Sequence, residues 1–218
     1  MAAILTVFVG VVPYLGVGMS TASAVRAEPL TISAFGDSLT AGFGLPDGQG
    51  FVPQLQAWLT ANGADALVLN AGVSGDTTAG GLARIDWALT PDVDAVILEL
   101  GANDMLRGLP AQMARDNLDA ILGRISARDL PVLIAGIPAP PNYGPEYQAV
   151  FDGMYPALAE KYDALHHENF LGAIAAEEIT DAIKLMQPDG LHPNRDGVAR
   201  IVADIGPMVL QLIERAGK

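Results

Sequence analysis

The stretch Ala34-Phe35-Gly36-Asp37-Ser38-Leu39-Thr40-Ala41-Gly42 joins an apolar, β-branched run to a glycine-rich turn. The run that begins at Leu30 predicts a short β-strand ending near Gly36. A serine at the end of a strand, between glycines and beside an acid, lies where the rim of an α/β sheet would hold a nucleophile. Gly-Asp-Ser is also an ordinary turn, because glycine supplies a positive φ and both Asp and Ser bond their own backbone. The other motifs of the chain are needed to distinguish a nucleophile from an ordinary turn.

The sequence on either side alternates apolar runs with helical patterns. Further strands are predicted at Ala66–Val73, Asp94–Leu100, Pro131–Ile137 and, shorter, Leu165–Phe170. Helices are predicted from Phe51 to Asn62-Gly63, over Thr77–Leu89, around Leu118–Ile125, from the loop Pro138–Pro145 to about Tyr162, and over Asn194–Arg215 with a kink at Pro207. Strands separated by helices predict βαβ units with right-handed crossovers. The expected fold is a three-layer α/β/α domain with about five parallel strands, and the run Ala66–Val73 is expected to be buried on both sides.

Composition narrows the function classes. Lysine and arginine number 12 against 25 aspartates and glutamates, which gives a formal net charge of −13. Such a charge disfavours a nucleic-acid partner and tight docking on anionic lipid headgroups, although not capture of a single lipid molecule. The chain has no cysteine, which excludes thiol catalysis, disulfides and thiolate metal sites. Half the 218 residues are apolar, enough for one domain with a full core.

Residues 1–27 differ from the rest. The first 19 residues are almost wholly apolar and uncharged, and small residues lead to Val25-Arg26-Ala27. This pattern predicts a secretory signal peptide that is cleaved after Ala27, although no Lys or Arg precedes its apolar part. The expectation is an exported protein, periplasmic or secreted, in which residues 28–218 form one domain without stable membrane insertion. The alternative is an uncleaved membrane anchor.

Three further polar segments follow predicted strands or precede the last helix. They are Ala71-Gly72-Val73-Ser74-Gly75-Asp76-Thr77-Thr78, Leu100-Gly101-Ala102-Asn103-Asp104 and Gln187-Pro188-Asp189-Gly190-Leu191-His192-Pro193-Asn194. Each has a structural explanation as a turn or a helix N-cap. In a parallel sheet, however, ligands bind at the carboxyl ends of strands, so segments in these places are expected to meet.

Together the segments contain the groups required for acyl transfer through a serine. Ser38 would attack a carbonyl carbon but needs a base, and His192 can take and return a proton near neutral pH. Asp189 lies three residues earlier across a turn and could accept a hydrogen bond from His192 Nδ1. The backbone N–H groups of Ser38 and Gly75 and the amide of Asn103 could stabilise the oxyanion.

The same segments carry a family resemblance. Gly36-Asp37-Ser38-Leu39, Gly75, Gly101-x-Asn103-Asp104 and Asp189-x-x-His192 resemble, in order and spacing, the four blocks of the GDSL, or SGNH, hydrolases. The similarity spans roughly residues 30–213 and is greatest to bacterial TesA-like thioesterases, lysophospholipases and arylesterases. It implies a flavodoxin-like fold, Ser38 as nucleophile, His192 as base, Asp189 as its partner, and Ser38, Gly75 and Asn103 as the oxyanion hole. It implies neither a metal nor another cofactor.

The expected substrate is a small-molecule ester or lipid. The segments Met105–Pro110 and Pro138–Tyr147 are predicted to lie beside the site, and five side chains are predicted to line an apolar acyl slot: Met105, Leu106, Leu109, Ile137 and Tyr143. Such a slot suits short- to medium-chain esters, thioesters or lysophospholipids. The rival hypotheses are a carbohydrate O-deacetylase with an open polar cleft, a non-catalytic binding module, and a phosphate-binding flavodoxin-like protein. Oligomeric state is left open.

Several polar residues near these segments are given structural roles. Asp37 is predicted to hold the turn that presents Ser38, and Asp76, Asp104 and Arg107 to form a local hydrogen-bond network. His166 and His167 are adjacent in a predicted strand, so their side chains would face opposite sides and make a poor metal pair.

Overall fold

The computed structural model describes residues 28–217. The predicted signal peptide, residues 1–27, lies outside the described residues. Within the described range, no helix is long and apolar enough to cross a membrane.

The described chain contains a five-stranded parallel sheet. Its strands are β1 (Leu30–Gly36), β2 (Ala66–Gly72), β3 (Ala95–Glu99), β4 (Val132–Ala135) and β5 (Leu165–His167). Their spatial order is β2-β1-β3-β4-β5, and every neighbouring pair is parallel. The chain therefore changes direction across the sheet between β1 and β3, the place where open α/β sheets form a crevice. Ser38 follows β1, and Asn103 follows β3.

Helices cover both faces of the sheet. Over the described residues they are α1 (Ser38–Ala41), α2 (Phe51–Ala61), α3 (Thr78–Ala88), α4 (Ala102–Leu106), α5 (Ala111–Ser126), α6 (Pro145–Lys161), α7 (Gly172–Ala175), α8 (Ile179–Lys184) and α9 (Arg195–Ala216), with a 3-10 turn at Pro141–Tyr143. Helix α2 packs against α9 on one face, while α3, α5 and α6 pack in sequence on the other. The predicted three-layer α/β/α fold is thus confirmed.

The apolar faces predicted from sequence form the core. Leu118, Ile121, Leu122 and Ile125 of α5 are all buried, as are the inward positions of α9. That helix continues through Pro207. The two short helices α7 and α8 lie in a segment for which the sequence patterns made no prediction, because each is too short to display a period.

One strand prediction was wrong. The run at Ala66–Val73 was expected to be buried on both sides, but β2 is an edge strand and Leu67 is 45% exposed. Its free edge is protected by α2, where the amide of Gln56 donates to the carbonyl of Ala66 at 2.8 Å and accepts from the N–H of Val68 at 2.9 Å. At these two positions a helix side chain makes the hydrogen bonds that a neighbouring strand would otherwise make.

Candidate active site

The turn after β1 presents Ser38 as the first residue of a one-turn helix. Asp37 is its N-cap, and Asp37 Oδ1 accepts a hydrogen bond from the N–H of Leu39 at 3.0 Å. Gly42 ends the turn at φ +82°, a conformation that suits glycine, and its N–H donates to the carbonyl of Ser38 at 3.1 Å. The structural role predicted for Asp37 corresponds to these contacts.

Ser38, His192 and Asp189 form a continuous chain of hydrogen bonds. Ser38 Oγ lies 2.8 Å from His192 Nε2, and His192 Nδ1 lies 2.7 Å from Asp189 Oδ2. The other carboxylate oxygen, Asp189 Oδ1, accepts from the backbone N–H groups of Leu191 and His192 at 3.0 Å each. These contacts, first that with His192, lower the pKa of Asp189 to about 2. The carboxylate is therefore charged at neutral pH and fixes the imidazole so that Nε2 faces the serine.

Two residues that sequence reasoning missed hold the histidine loop. The backbone N–H of Gln187 donates to the carbonyl of His192 at 2.8 Å, and its side-chain amide donates to the carbonyls of Phe43 at 2.8 Å and Pro193 at 3.0 Å. The ring of Phe43 lies against the His192 imidazole with 4.7 Å between centroids. Phe43 is distant from the histidine in sequence, and although Gln187 lies in the same segment, its bond to Phe43 depends on the fold and left no local signal.

Three residues that carry candidate oxyanion donors, Ser38, Gly75 and Asn103, line one cavity. Within residues 28–217 the N–H groups of Ser38 and Gly75 have no hydrogen-bond acceptor. Gly75 has φ +83°, and Arg107 Nη2 donates to its carbonyl at 2.7 Å, which fixes the peptide that follows Gly75. Asn103 Nδ2 donates to Asp37 Oδ2 at 2.9 Å, and a primary amide carries a second hydrogen that remains for a ligand.

A polar network ties the strand ends together around this site. Arg84 Nε lies 2.5 Å from Asp76 Oδ2, and its Nη atoms donate to the carbonyls of Ala71 and Gly36 at 2.7 and 2.9 Å. The guanidinium also stacks over the ring of Phe35, 4.1 Å from its centroid.

Asp104 of α4 is hydrogen-bonded to the first residue of α3, beside this network. Its carboxylate accepts from the N–H and hydroxyl of Thr78 at 2.7 and 2.6 Å. The hydrogen-bonding roles predicted for Asp76, Asp104 and Arg107 are confirmed.

Beneath the nucleophile turn lie two buried carboxyl groups, Asp37 and Glu99, both fully inaccessible. Burial raises the pKa of Asp37 to about 6, against the opposing effect of the hydrogen bonds from Leu39 and Asn103. Burial and the nearby Asp37 carboxyl raise the pKa of Glu99 well above its usual range. Glu99 was missed from sequence, although an acid at the end of the apolar run Ala95–Leu98 was a visible signal.

The site opens into an apolar cavity of about 430 Å³. Of the side chains predicted to line it, Met105, Leu106 and Ile137 do so, joined by Phe43, Leu171 and Leu191. Leu109 and Tyr143 lie outside the cavity wall, and their predicted contact with substrate stays a prediction. Gly108, at φ +65°, turns the chain before Leu109, and the ring of Tyr143 packs on Tyr147 with 5.3 Å between centroids.

The remaining histidines lie on β5, away from this cavity. His167 Nε2 is 3.0 Å from Asp204 Oδ2, and burial lowers the pKa of His166. In the part of the chain that the structure describes, no group of three or more His, Asp or Glu side chains could hold a metal ion.

Comparison with known proteins places these features in context. Residues 34–200 match the model of the GDSL-like lipase/acylhydrolase family. The chain is 36% identical over 189 residues to esterase TesA of Pseudomonas aeruginosa, covering 86% of this chain and 92% of that protein. It is 36% identical over 186 residues to thioesterase 1/protease 1/lysophospholipase L1 of Escherichia coli, covering 84% of each. The solved structure of AlinE4, an SGNH-hydrolase family esterase, is 45% identical with a TM-score of 0.71, covering 86% of this chain and 98% of that one.

Proposed function

Because this chain belongs to the GDSL-like lipase/acylhydrolase family and is a carboxylic ester hydrolase, we propose that Ser38, His192 and Asp189 are its catalytic triad. One observation carries the proposal. The unbroken hydrogen-bond chain from Asp189 through His192 ends at Ser38 Oγ, in the wall of an apolar cavity. A nucleophile, a base and a group that orients the base are the parts that serine acyl transfer requires.

The first half of the reaction forms an acyl-enzyme. His192 Nε2 takes the proton of Ser38 Oγ as the oxygen attacks the carbonyl carbon of the ester. The carbonyl oxygen becomes negative and is stabilised by the N–H groups of Ser38 and Gly75 and by the Asn103 amide. Asp189 stabilises the imidazolium. The tetrahedral intermediate then collapses, and His192 returns the proton to the leaving alcohol.

The second half repeats the chemistry with water. His192 Nε2 takes a proton from a water molecule, whose oxygen attacks the acyl carbon of Ser38. The same three donors stabilise the second oxyanion. Collapse breaks the bond to Ser38 Oγ, the proton returns to that oxygen, and a carboxylic acid leaves.

The acyl group is proposed to be short to medium in length and held among Met105, Leu106 and Ile137. A cavity of about 430 Å³ lined mainly by apolar side chains supports this assignment. It does not favour the carbohydrate deacetylase, for which a polar cleft was expected. A complete proton-transfer chain likewise does not favour a binding module. The relatives named as an esterase, an arylesterase and a thioesterase/lysophospholipase suggest aryl esters, thioesters and lysophospholipids as substrates to test.

Residues 1–27 are proposed to be a secretory signal that is removed after Ala27, so that the enzyme acts in the periplasm or outside the cell. The support is the apolar, uncharged run followed by Val25-Arg26-Ala27. The mass and N-terminal sequence of protein recovered from the periplasm and medium test it. A mature chain that begins at Glu28 is expected, and a retained N-terminus in the membrane fraction would contradict export with cleavage.

The central experiment measures hydrolysis of p-nitrophenyl esters from acetyl to palmitoyl, together with covalent labelling by a fluorophosphonate. Ser38→Ala is expected to lose at least about 10⁴-fold in kcat and all labelling. Ser33→Ala is the matched control, because Ser33 is buried in β1, the strand that leads to Ser38, and lies outside the cavity wall. Turnover or labelling that persists in Ser38→Ala would overturn the assignment.

A further inference from the structure

Glu99 is a buried acid at the end of β3, four residues before Asn103. Its side chain is fully inaccessible. Glu99 Oε2 accepts hydrogen bonds from Thr40 Oγ1 at 2.8 Å and from the N–H of Asp37 at 3.3 Å. Glu99 Oε1 has no hydrogen-bond partner, and no ion pair within residues 28–217 includes Glu99.

We propose that Glu99, as a neutral acid, is a positioning residue that fixes the nucleophile turn against the strand carrying the Asn103 oxyanion donor. Its two donors, Asp37 and Thr40, lie on either side of Ser38, so one carboxyl oxygen holds both ends of the turn. This inference rests on the proposed role of Ser38. Glu99 would support Ser38 without touching the substrate or the reacting atoms.

Space for this carboxyl is built into the first strand. Gly36 is directly opposite Glu99 in the register of β1 and β3. A Cβ atom on Gly36 would overlap Glu99 Oε2 and Thr40 Oγ1. The Cβ atom would also overlap the backbone carbonyl oxygen of Glu99, so a glycine is required here by the neighbouring strand backbone as well as by the buried acid and its hydroxyl partner.

The surroundings of Glu99 favour its neutral form. The ionisable groups around it are Asp37 and, with a pKa raised by burial, Tyr155, whose hydroxyl donates to the carbonyl of Leu100. Arg84 contacts the carbonyl of Gly36 rather than either acid, and His192 and Asp76 act on Asp37. Both carboxyl groups accept two hydrogen bonds, but those of Asp37 reach both of its oxygens, whereas Glu99 Oε1 is buried with no donor to stabilise a negative charge.

The test compares Glu99→Gln with Glu99→Leu. The amide of Glu99→Gln is neutral and its oxygen can accept both hydrogen bonds, so we expect kcat within about threefold of the wild type. Glu99→Leu removes both bonds, and we expect kcat to fall about 10- to 100-fold with KM nearly unchanged, because Ser38 shifts relative to the oxyanion donors. Equal losses in the two variants, or no loss in Glu99→Leu, would overturn the proposal. If Glu99→Leu does not fold, Thr40→Val removes one of the two donors, and an unchanged kcat there would overturn it.

The protonation state has its own readout. A raised pKa in the folded state means that stability falls as pH rises from the ordinary carboxyl pKa toward the raised value. The wild-type folding equilibrium should therefore weaken relative to Glu99→Gln by up to about tenfold per pH unit from about pH 4.3 upward, until the raised pKa is reached. Parallel pH profiles would show that Glu99 is charged and overturn the neutral-acid assignment.

Fluorophosphonate labelling separates the two levels of the argument. If Ser38→Ala still labels, the proposed triad fails. If Ser38→Ala is unlabelled while Glu99→Leu labels at the wild-type rate, only the positioning role of Glu99 fails.

Discussion

Asp189→Asn gives the sharpest test of how the triad works. The wild-type carboxylate accepts from His192 Nδ1 through Oδ2 at 2.7 Å and from two backbone N–H groups through Oδ1. An asparagine keeps an oxygen for the backbone groups but places an NH₂ opposite Nδ1. The imidazole then has to present a lone pair at Nδ1 and carry its proton on Nε2, where it cannot accept the proton of Ser38.

The expected loss is about 10⁴-fold in kcat, which corresponds to about 5.4 kcal/mol of transition-state stabilisation. KM should change little, because Asp189 is not part of the cavity wall. The assay is steady-state hydrolysis of p-nitrophenyl butyrate, with thermal unfolding measured in parallel. Asp189→Ala is the comparison variant, since it also removes the acceptor of the Leu191 and His192 N–H groups and should loosen the loop.

The reasoning would be refuted if Asp189→Asn kept more than about a tenth of the wild-type kcat while remaining folded. The pH profile provides a second check. With the pKa of Asp189 lowered to about 2, its carboxylate stays charged at every pH above that value. Any loss of wild-type activity between about pH 5 and pH 7 must therefore come from another group. The stabilising effect of Asp189 is present above its unfolded pKa and is lost only as pH falls toward about 2.

Three further predictions follow from the geometry. Asn103→Ala should lower kcat about 100- to 1,000-fold with little change in KM, as measured on the same esters, because one oxyanion donor is removed. Ile137→Phe should move the preferred p-nitrophenyl ester to a shorter acyl chain, whereas Leu109→Phe, outside the cavity wall, should leave the preference unchanged; equal shifts would contradict the cavity assignment. Arg84→Met should lower the free energy of unfolding by about 2–4 kcal/mol in urea titrations, since it removes the guanidinium donors to the Asp76 carboxylate and to the carbonyl of Ala71, and one of the two donors to the carbonyl of Gly36. A loss below about 0.5 kcal/mol would show that the network is not stabilising.

The candidate site could be read from sequence to the extent that its chemistry sits in short local segments. Ser38, Asn103 and the Asp189–His192 pair each lie in a few contiguous residues at strand ends or before a helix. The alternation of apolar runs with helical faces predicted a parallel α/β sheet. A parallel sheet brings its strand ends to one edge, so local motifs alone predicted that these residues meet.

Features that depend on the approach of distant segments were decided only by the tertiary structure. The edge position of β2 follows from strand order, which a run of apolar residues does not specify. Leu109 lies near Met105 in sequence but outside the cavity, because one turn at Gly108 redirects the chain.

The contacts of Glu99 and Gln187 were likewise visible only in the tertiary structure. Glu99 contacts residues 59 and 62 positions away, and Gln187 binds the carbonyl of Phe43 across 144 positions. The sequence determined which groups could act in acyl transfer, since residue types and their local spacing are read directly from it. Folding decided which groups hold them, because burial and contact depend on how the sheet and its helices pack.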